Sequence, residues 1–224
     1  IKELEKSETF HKQVEKTILN ISNALNKTEN LDELFLKIRE HLGKVIDTTN
    51  FYAALYDEKT DMISLPFLVD KKDDFKTFPA GKTLTAYVIK TGKPLLATND
   101  VIKELTEKGI IETIGSPSEI WMGVPLKIGK KVIGVIVVQN YDDPHGYTEK
   151  DIDILTFVSE EIALAIKHKQ AEEKLLKTNE RLELAMDAGE HGFWDWNLDT
   201  NDIYFSPRYY TMLGYKPGEL PMKL

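Results

Sequence analysis

Residues 121–140 read WMGVPLKIGKKVIGVIVVQN and predict the β-hairpin around which the fold is built. Two apolar arms flank the Gly-Lys pair at 129–130, and this spacing is typical of a tight two-residue turn. The second arm, residues 132–138, is dense in β-branched side chains and lacks polar alternation, so we expect a strand that is covered on both faces. Gly123 and Gly134 interrupt the arms at points where a bulge or a close backbone approach is expected.

Two further segments predict strands of the same sheet, and a preceding segment predicts a helix that packs on it. FYAALY at 51–56 and MISLPFLV at 62–69 are apolar runs joined by a polar turn segment. Asn30 is the expected N-cap of the helix. The broad apolar face of that helix is expected in the core and consists of Leu31, Leu34, Phe35, Ile38, Leu42, Val45 and Ile46.

Irregular chain is expected to cover the other face of the sheet. Residues 71–81 are charged and rich in turn formers, and short helices are predicted at 83–90, with Thr83 as the cap, and at 100–108. Binding residues concentrate on loops that a rigid scaffold positions. We therefore expect a small-molecule site between the sheet and residues 71–115.

A long helix is predicted to start at Thr148, with Asp151 as the acidic partner in a capping box. No Gly or Pro occurs from Glu149 to about Gly189, and about forty helical residues would extend about 60 Å, so this helix is expected to link two bodies. Its core-facing stripe is predicted at Ile152, Leu155, Val158, Ile162, Ala165 and Ile166. A second stripe with 4–3 spacing comprises Leu164, His168, Ala171, Leu175, Thr178, Leu182 and Ala185.

Residues 1–26 predict an amphipathic helix with similar coiled-coil spacing. Its apolar positions are Leu4, Val14, Ile18, Ile21 and Leu25. Two such seams, one on each side of a single domain, predict a parallel homodimer that is held together by its terminal helices. A helix that lies along its own domain is the alternative.

Several motifs together resemble those of a GAF domain. They are PS at 117–118, WMGVPL at 121–126, VIGV at 132–135, QNY at 139–141, TLTAYVIKTGKPLLA at 83–97 and YTEKDIDILTFVSEEIALAI at 147–166. The resemblance covers residues 30–168 and is strongest to the GAF domains of bacterial and archaeal sensor histidine kinases and diguanylate cyclases. It implies an α+β fold with helices packed on one face of an antiparallel sheet, loops and short helices on the other, and long coiled-coil-like flanking helices.

The C-terminal segment GFWDWNLDTNDIYFSPRYYTMLGYKPGEL at 192–220 resembles the opening of a PAS domain, notably at WDW (194–196) and LGY (213–215). Fewer than forty residues are too few for an independently stable core, so we expect only the truncated N-terminal part of such a domain. The expected organisation is an N-terminal amphipathic helix at 1–27, a GAF domain at 28–168, a helical signalling linker at 169–190 and the PAS segment at 191–224.

The composition argues against several classes of partner. The chain carries 29 Lys and Arg against 37 Asp and Glu, a formal charge of −8, without a long basic stripe, so nucleic acid is not an expected partner. It has no cysteine, which is typical of a reducing compartment, and we expect a cytoplasmic protein. No apolar run approaches the roughly 18–20 residues that span a bilayer, so no membrane contact is expected within this chain.

Motifs for catalysis are absent from the sequence. It contains no G-x-S-x-G elbow, no P-loop and no H-E-x-x-H. It also lacks the phosphoacceptor and ATP-binding motifs of histidine kinases and the GGDEF and EAL motifs of cyclic-di-GMP enzymes. We therefore expect no enzymatic activity in this chain, and the resemblance implies a catalytic domain, of the histidine kinase or diguanylate cyclase type, outside it.

The resemblance raises several ligand classes, and the residues disfavour each of them. Some cyclic-nucleotide-binding GAF domains carry an Asn-Lys pair, a Phe and an Asp-Glu pair, where this chain has NY at 140–141, Tyr147 and DI at 151–152. A charge-assisted bond is thereby lost, so cyclic nucleotide is the less favoured alternative. Covalent bilins and free methionine sulfoxide reduction need cysteines that are absent. The histidines at 11, 41, 145, 168 and 191 are scattered, so no haem or metal site is expected and any cofactor is unknown.

The function that we expect is that of a regulatory sensor module. It would bind a small uncharged or weakly polar molecule, or relay a signal through its helices to an output domain. The aromatic side chains predicted to line the ligand site are Tyr52, Phe67, Phe78, Tyr87 and Trp121. Ordinary core packing is the alternative for each of them, because aromatic residues dominate cores. A ligand-free structural dimerisation module is the alternative function.

Overall fold

The computed structural model describes residues 30–188 and 191–219, together with residues 12, 15–17, 19, 20, 23 and 28. The predicted N-terminal stripe of Leu4, Val14, Ile18, Ile21 and Leu25 lies outside the described residues. The chain divides into two compact units, Ile1–Gln170 and Ala171–Leu224, which are called the first and the second unit below.

The first unit is built on a six-stranded antiparallel sheet. Its strands are β1 (Asn50–Asp57), β2 (Met62–Val69), β3 (Thr77–Pro79), β4 (Leu95–Thr98), β5 (Ile120–Ile128) and β6 (Lys131–Asn140). They lie in the order β3-β2-β1-β6-β5-β4, so the hairpin β5–β6 occupies the interior of the sheet. The helices are α1 (Leu31–Leu42), α2 (Leu84–Thr91), α3 (Asn99–Glu107) and α4 (Glu149–Ala188), of which α4 belongs to the first unit up to Gln170. The predicted α+β class is confirmed, whereas the short strands β3 and β4 were not predicted.

The hairpin is confirmed, with a two-residue turn between the paired residues Ile128 and Lys131. Gly129 adopts the left-handed conformation at φ 60°, which glycine takes without steric strain. At Gly134 a methyl group would lie 2.1 Å from the carbonyl oxygen of Ala54. Only glycine therefore allows β1 and β6 to approach each other at this position.

One face of the sheet packs against α1 and the first part of α4. The Asn30 side chain caps α1 and accepts a hydrogen bond from the backbone N–H of Glu33 at 2.9 Å. The backbone N–H of Thr148 donates to the carboxylate of Asp151 at 2.7 Å, which is one half of the predicted capping box. The predicted stripes are buried together in one cluster that includes Leu34, Phe35, Ile38, Leu42, Ile46, Ile152, Leu155, Val158, Ile162, Ala165 and Ile166.

The opposite face is covered by α2, α3 and the chain that connects them. Thr83 caps α2, and its hydroxyl accepts a hydrogen bond from the backbone N–H of Ala86 at 3.0 Å. A second and smaller buried cluster lies on this face and comprises Tyr52, Ala54, Ile63, Ala80, Ala86, Val88, Ala97, Trp121, Val135 and Val137. Because alanines are frequent in it, this layer is packed with less side-chain volume than the other face, and it contains the cavity described below.

Helix α4 runs unbroken over 40 residues, as the absence of Gly and Pro predicted. Part of its second stripe is strongly exposed, with Leu164 at 57%, Leu175 at 63% and Leu182 at 52% of their accessible surface. Large apolar side chains that recur at this spacing and remain uncovered are typical of a coiled-coil seam.

In the second unit, α4 is followed by a hairpin of β7 (Trp194–Asn197) and β8 (Asp202–Phe205) and then by α5 (Pro207–Met212). The Ser206 hydroxyl caps α5 and accepts a hydrogen bond from the backbone N–H of Tyr209 at 3.2 Å. Pro207 occupies the first helical turn, as predicted. These local elements agree with those that the sequence predicts for the segment.

Candidate ligand-binding cavity

A cavity of about 350 Å³ lies between the sheet and the chain that covers its second face. Strands β1, β2, β5 and β6 contribute to its floor, and α2, α3 and residues 111–118 contribute to its walls. Its apolar surface includes Tyr52, Leu68, Phe78, Ile102, Ile111 and Trp121. A volume of this size lies at the lower end of the range of about 300–1,000 Å³ that is usual for small-molecule sites.

Trp121 and Tyr52 form a rigid part of the cavity floor. The indole Nε1–H of Trp121 donates to the Tyr52 hydroxyl oxygen at 3.1 Å, and the hydroxyls of Tyr52 and Thr85 lie 3.1 Å apart. Burial raises the pKa of Tyr52 to about 12, so its hydroxyl is neutral at neutral pH. The indole ring lies directly over Gly123, where a methyl group would approach the ring to 2.1 Å. The glycine that the sequence singled out therefore provides the space for Trp121.

Three of the five aromatic residues predicted for the site line the cavity, namely Tyr52, Phe78 and Trp121. Phe67 does not, and that prediction is wrong. Its ring packs on the other face of the sheet, with ring centroids 5.9 Å from both Phe35 and Phe51.

The reason is a register shift in the pairing of β1 with β2. Ala53 pairs with Phe67 but Leu55 pairs with Ser64, so β2 contains one extra residue at this point. One extra residue reverses the alternation of side chains along a strand. As a result Leu68, which is paired with Tyr52, reaches the cavity in place of Phe67.

Tyr87 does not line the cavity either. The lining residues at the start of α2 are Leu84 and Thr85, together with the N-cap Thr83. The structure therefore places Tyr87 outside the cavity lining.

The lining also contains polar residues that were not predicted, and of these Gln139 had a recognisable signal. It follows the apolar run 132–138 of β6, where a buried amide needs a partner. Asp73 and Ser116 come from two loops that are distant in sequence, and no local pattern indicated that they meet.

Asp70, Gln139 and Tyr141 form a hydrogen-bonded group beside the cavity. Gln139 Nε2 donates to the Asp70 carboxylate at 2.7 Å and to the Tyr141 hydroxyl oxygen at 2.8 Å, and the Tyr141 hydroxyl donates to Asp70 at 2.8 Å. Burial raises the pKa of Asp70, but hydrogen bonds from the Lys72 backbone and from Gln139 outweigh burial, so its pKa lies below the ordinary value. Burial, and then the hydrogen bond to Asp70, raise the pKa of Tyr141. The carboxylate is thus charged and the phenol neutral at neutral pH.

Asp73 connects two walls of the cavity. Its carboxylate accepts hydrogen bonds from the Ser116 backbone N–H at 3.0 Å and from the Ser116 hydroxyl at 2.9 Å. A methyl group on the neighbouring Gly115 would lie 2.7 Å from Asp73 Oδ2 and 3.1 Å from the ring carbon Cε2 of Phe75. The carboxylate and the aromatic ring therefore lie next to each other in the lining.

Two polar atoms of the lining, both on buried residues, make no hydrogen bond within the described part of the chain and stay accessible. One is the hydroxyl of Ser118, a residue that is only 6% exposed. The other is the side-chain carbonyl oxygen of Gln139, which is 7% exposed and uses both Nε2 hydrogens for Asp70 and Tyr141. Both atoms are therefore available to hydrogen-bond a molecule in the cavity.

The residues that correspond to the cyclic-nucleotide motif serve the local backbone. The Asn140 side-chain oxygen accepts hydrogen bonds from two backbone N–H groups of the following turn, each at 2.9 Å. The Tyr147 hydroxyl donates to the carbonyl oxygen of Asp47 at 3.0 Å, and Asp151 is bound to Thr148 in the helix cap. None of these residues lines the cavity in the part of the chain that the structure describes.

Across the described ranges, no three His, Asp or Glu side chains come together as a set of metal ligands. Within the same ranges, no helix has the length and apolar character that are needed to cross a bilayer.

A family model described as the GAF domain matches residues 28–167. A GAF domain from a Coxiella burnetii phosphoenolpyruvate-protein phosphotransferase superposes with a TM-score of 0.59 at 14% identity, covering 72% of this chain and 97% of that one. A free methionine-R-sulfoxide reductase from Neisseria meningitidis, in complex with its substrate, has a TM-score of 0.57 at 12% identity, covering 71% of this chain and 91% of that one. Identities this low show the fold alone.

Local sequence similarity connects the chain with a signalling protein. Hybrid signal transduction histidine kinase A from Dictyostelium discoideum is 42% identical over 45 residues. The match covers 20% of this chain and 2% of that protein, so the chain spans only a small part of the relative's length.

Proposed function

The chain belongs to the GAF domain family, and we propose that it is a cytoplasmic regulatory sensor module whose cavity binds a small molecule. The observation that carries this proposal is the cavity itself, which combines an apolar floor with polar atoms of Ser118 and Gln139 that have no hydrogen-bond partner in the described chain. Sites for small molecules have this combination, in which apolar walls supply affinity and a few polar groups fix orientation.

Strand β6 offers a physical path from the cavity to α4. Val137 belongs to the buried cluster on the cavity side of the sheet, whereas Ile136 and Val138 belong to the cluster that contains the α4 stripe. Gln139, which lines the cavity, is the second-last residue of this strand. A ligand that displaces β6 therefore acts on the packing of α4, because tightly packed cores transmit small displacements.

We assign the relay to α4, which continues as one helix through residues 169–188. In this proposal residues 28–168 are the sensor domain, residues 169–190 are a helical signalling linker and residues 191–224 are the beginning of a PAS domain. The output would be a histidine kinase or a diguanylate cyclase outside this chain. The local similarity to a hybrid histidine kinase supports the first of these two outputs.

A parallel homodimer is part of the same proposal. The exposed apolar residues of the second α4 stripe, such as Leu175 and Leu182, would be buried against a second copy. This seam also favours the alternative function, a structural dimerisation module that binds no ligand. The two functions differ in whether the cavity is ever occupied.

A thermal-shift screen of small molecules tests the proposal, with a variant that blocks the cavity. Leu68→Trp places an indole in the space beside Tyr52, whereas Leu65→Trp adds the same ring on the same strand at a position outside the cavity lining. We expect at least one compound class to raise the midpoint of the native chain and of Leu65→Trp, but not that of Leu68→Trp. Equal responses of both variants, or no response of the native chain to any compound, would favour the structural module.

A further inference from the structure

The polar side of the cavity contains acceptors and negative charge. Asp73 presents a carboxylate, and the two unpartnered atoms are a hydroxyl and an amide carbonyl oxygen, on Ser118 and Gln139. Asp70 lies directly behind Gln139 and is charged at neutral pH. A ligand that satisfies these groups must bring hydrogen-bond donors.

The charged residues of the lining disfavour an anion. Among the described residues that line the cavity, Lys103 is the one base, its side chain is exposed, and neither Arg nor His occurs. The acids are Asp73, Glu107 and Glu112, and of these Glu112 forms an ion pair with Lys82 at 3.4 Å. A carboxylate or phosphate in the interior would face acceptors without a compensating cation, which is costly in a buried site.

Aromatic rings stand next to the carboxylate. The Phe75 ring adjoins Asp73 across Gly115, and Phe75 packs edge-on against Phe78 with ring centroids 6.4 Å apart. A cation near a carboxylate and within about 6 Å of ring faces gains from both, because the π-system of each ring presents negative charge to it. One cation on an aromatic face occurs nearby, since the Lys72 ammonium lies 4.2 Å from the centroid of the Tyr141 ring.

We infer that the cavity recognises a protonated primary or secondary amine with a compact apolar body. The inference rests on the proposed ligand-binding role of the cavity, and it replaces the uncharged ligand that the sequence predicts. The ammonium group lies on the cavity side of the Asp73 carboxylate and the Phe75 ring, and its N–H groups donate to Gln139 Oε1 and the Ser118 hydroxyl. The need for N–H donors distinguishes such an amine from a quaternary ammonium ion, which has none. The apolar body lies on Trp121 and Leu68.

Three probes with related apolar bodies and different charge test this inference. They are 2-phenylethylamine, 2-phenylethanol and 3-phenylpropionate, titrated into the full chain at pH 7 by isothermal calorimetry. We expect the amine to bind roughly tenfold or more tightly than the alcohol, because its hydrogen bonds are charge-assisted, and we expect the carboxylate to bind least.

Asp73→Asn removes the charge and keeps the shape of the side chain. We expect it to abolish the preference for the amine over the alcohol, a loss of roughly tenfold or more, with alcohol binding unchanged. Asp74→Asn is the matched control, since Asp74 is an exposed neighbour outside the cavity lining and its loss changes the net charge equally. Phe75→Leu serves if Asp73→Asn does not fold, and should reduce the preference for the amine about threefold.

The outcomes separate this inference from the proposed function. Tighter binding of the alcohol or the carboxylate refutes the amine and leaves the cavity as a ligand site. A preference for the amine that survives Asp73→Asn, or disappears equally in Asp74→Asn, refutes the assigned recognition. Failure of the amine to bind also refutes amine recognition. The compound screen with Leu68→Trp tests the sensor function separately.

Discussion

Gly123→Ala is predicted to disturb the cavity floor without straining the backbone. The new methyl group would lie 2.1 Å from the Trp121 ring, whereas carbon atoms in contact are about 3.5 Å apart, so the indole must move by more than 1 Å. Such overpacking costs about 1–3 kcal/mol. Movement of the ring also breaks the hydrogen bond to Tyr52 and leaves a buried donor unpaired, which costs about 1–3 kcal/mol of folding stability. The free energy of unfolding of the first unit should fall by roughly 2–6 kcal/mol in total.

Tryptophan fluorescence is a direct assay for this displacement. Trp121 is 2% exposed, whereas Trp194 is 55% and Trp196 is 39% exposed, so replacing the latter two by Phe leaves Trp121 as the reporter. We expect Gly123→Ala to shift the emission to longer wavelength and to lower the urea midpoint. Gly129→Ala is the control, because its φ of 60° costs about 1–2 kcal/mol of strain but no atom lies within 4 Å of the added methyl. An unchanged emission maximum, with a stability loss no larger than that of Gly129→Ala, would refute the reasoning.

Three further predictions concern the assembly, the pH response and the relay. The double variant Leu175→Asp and Leu182→Asp should convert the dimer into a monomer, as measured by light scattering. Leu184→Asp, which is exposed but lies off the stripe, should leave the dimer intact. A dimer mass for both variants would refute the role of this stripe in dimerisation. Because the folded-state pKa of Tyr52, at about 12, lies above the ordinary 10, its contribution to stability is complete below pH 10 and is lost as the pH rises to about 12. The free energy of unfolding of Tyr52→Phe should therefore fall less than that of the native chain when urea denaturation is measured from pH 10 to pH 12. An equal decrease in both proteins would contradict this. Inserting one residue near Glu173 rotates the following helix by about 100°, whereas inserting seven residues restores its face to within about 20°. In the full-length host, the one-residue insertion should therefore lock the output, and the seven-residue insertion should preserve regulation. If both insertions are tolerated equally, α4 is a passive tether.

Elements that depend on local pattern were predictable from the sequence. The hairpin follows from β-branched arms around a glycine turn, and α4 follows from its capping box and the absence of helix breakers. By contrast, β3 and β4 are only three and four residues long. They form because they pair with β2 and β5, and not because their residues have a strong strand propensity.

The cavity was predictable in position but only partly in its residues. The doubly covered hairpin indicated which layer could contain it, and Tyr52, Phe78 and Trp121 do line it. An aromatic residue does not reveal its face when a strand contains an extra residue, and this is why Phe67 was misplaced. Asp73 meets Ser116 only through the folding of two loops that no sequence period describes.

Native mass spectrometry tests the central claim, that the cavity holds a small molecule, most directly. The purified chain would be measured as isolated and after incubation with a small-molecule extract of the expression host, alongside Leu68→Trp and Leu65→Trp. We predict one added mass per chain in the native protein and in Leu65→Trp, and none in Leu68→Trp. The bare mass in every sample, or the same added mass in Leu68→Trp, would contradict the account.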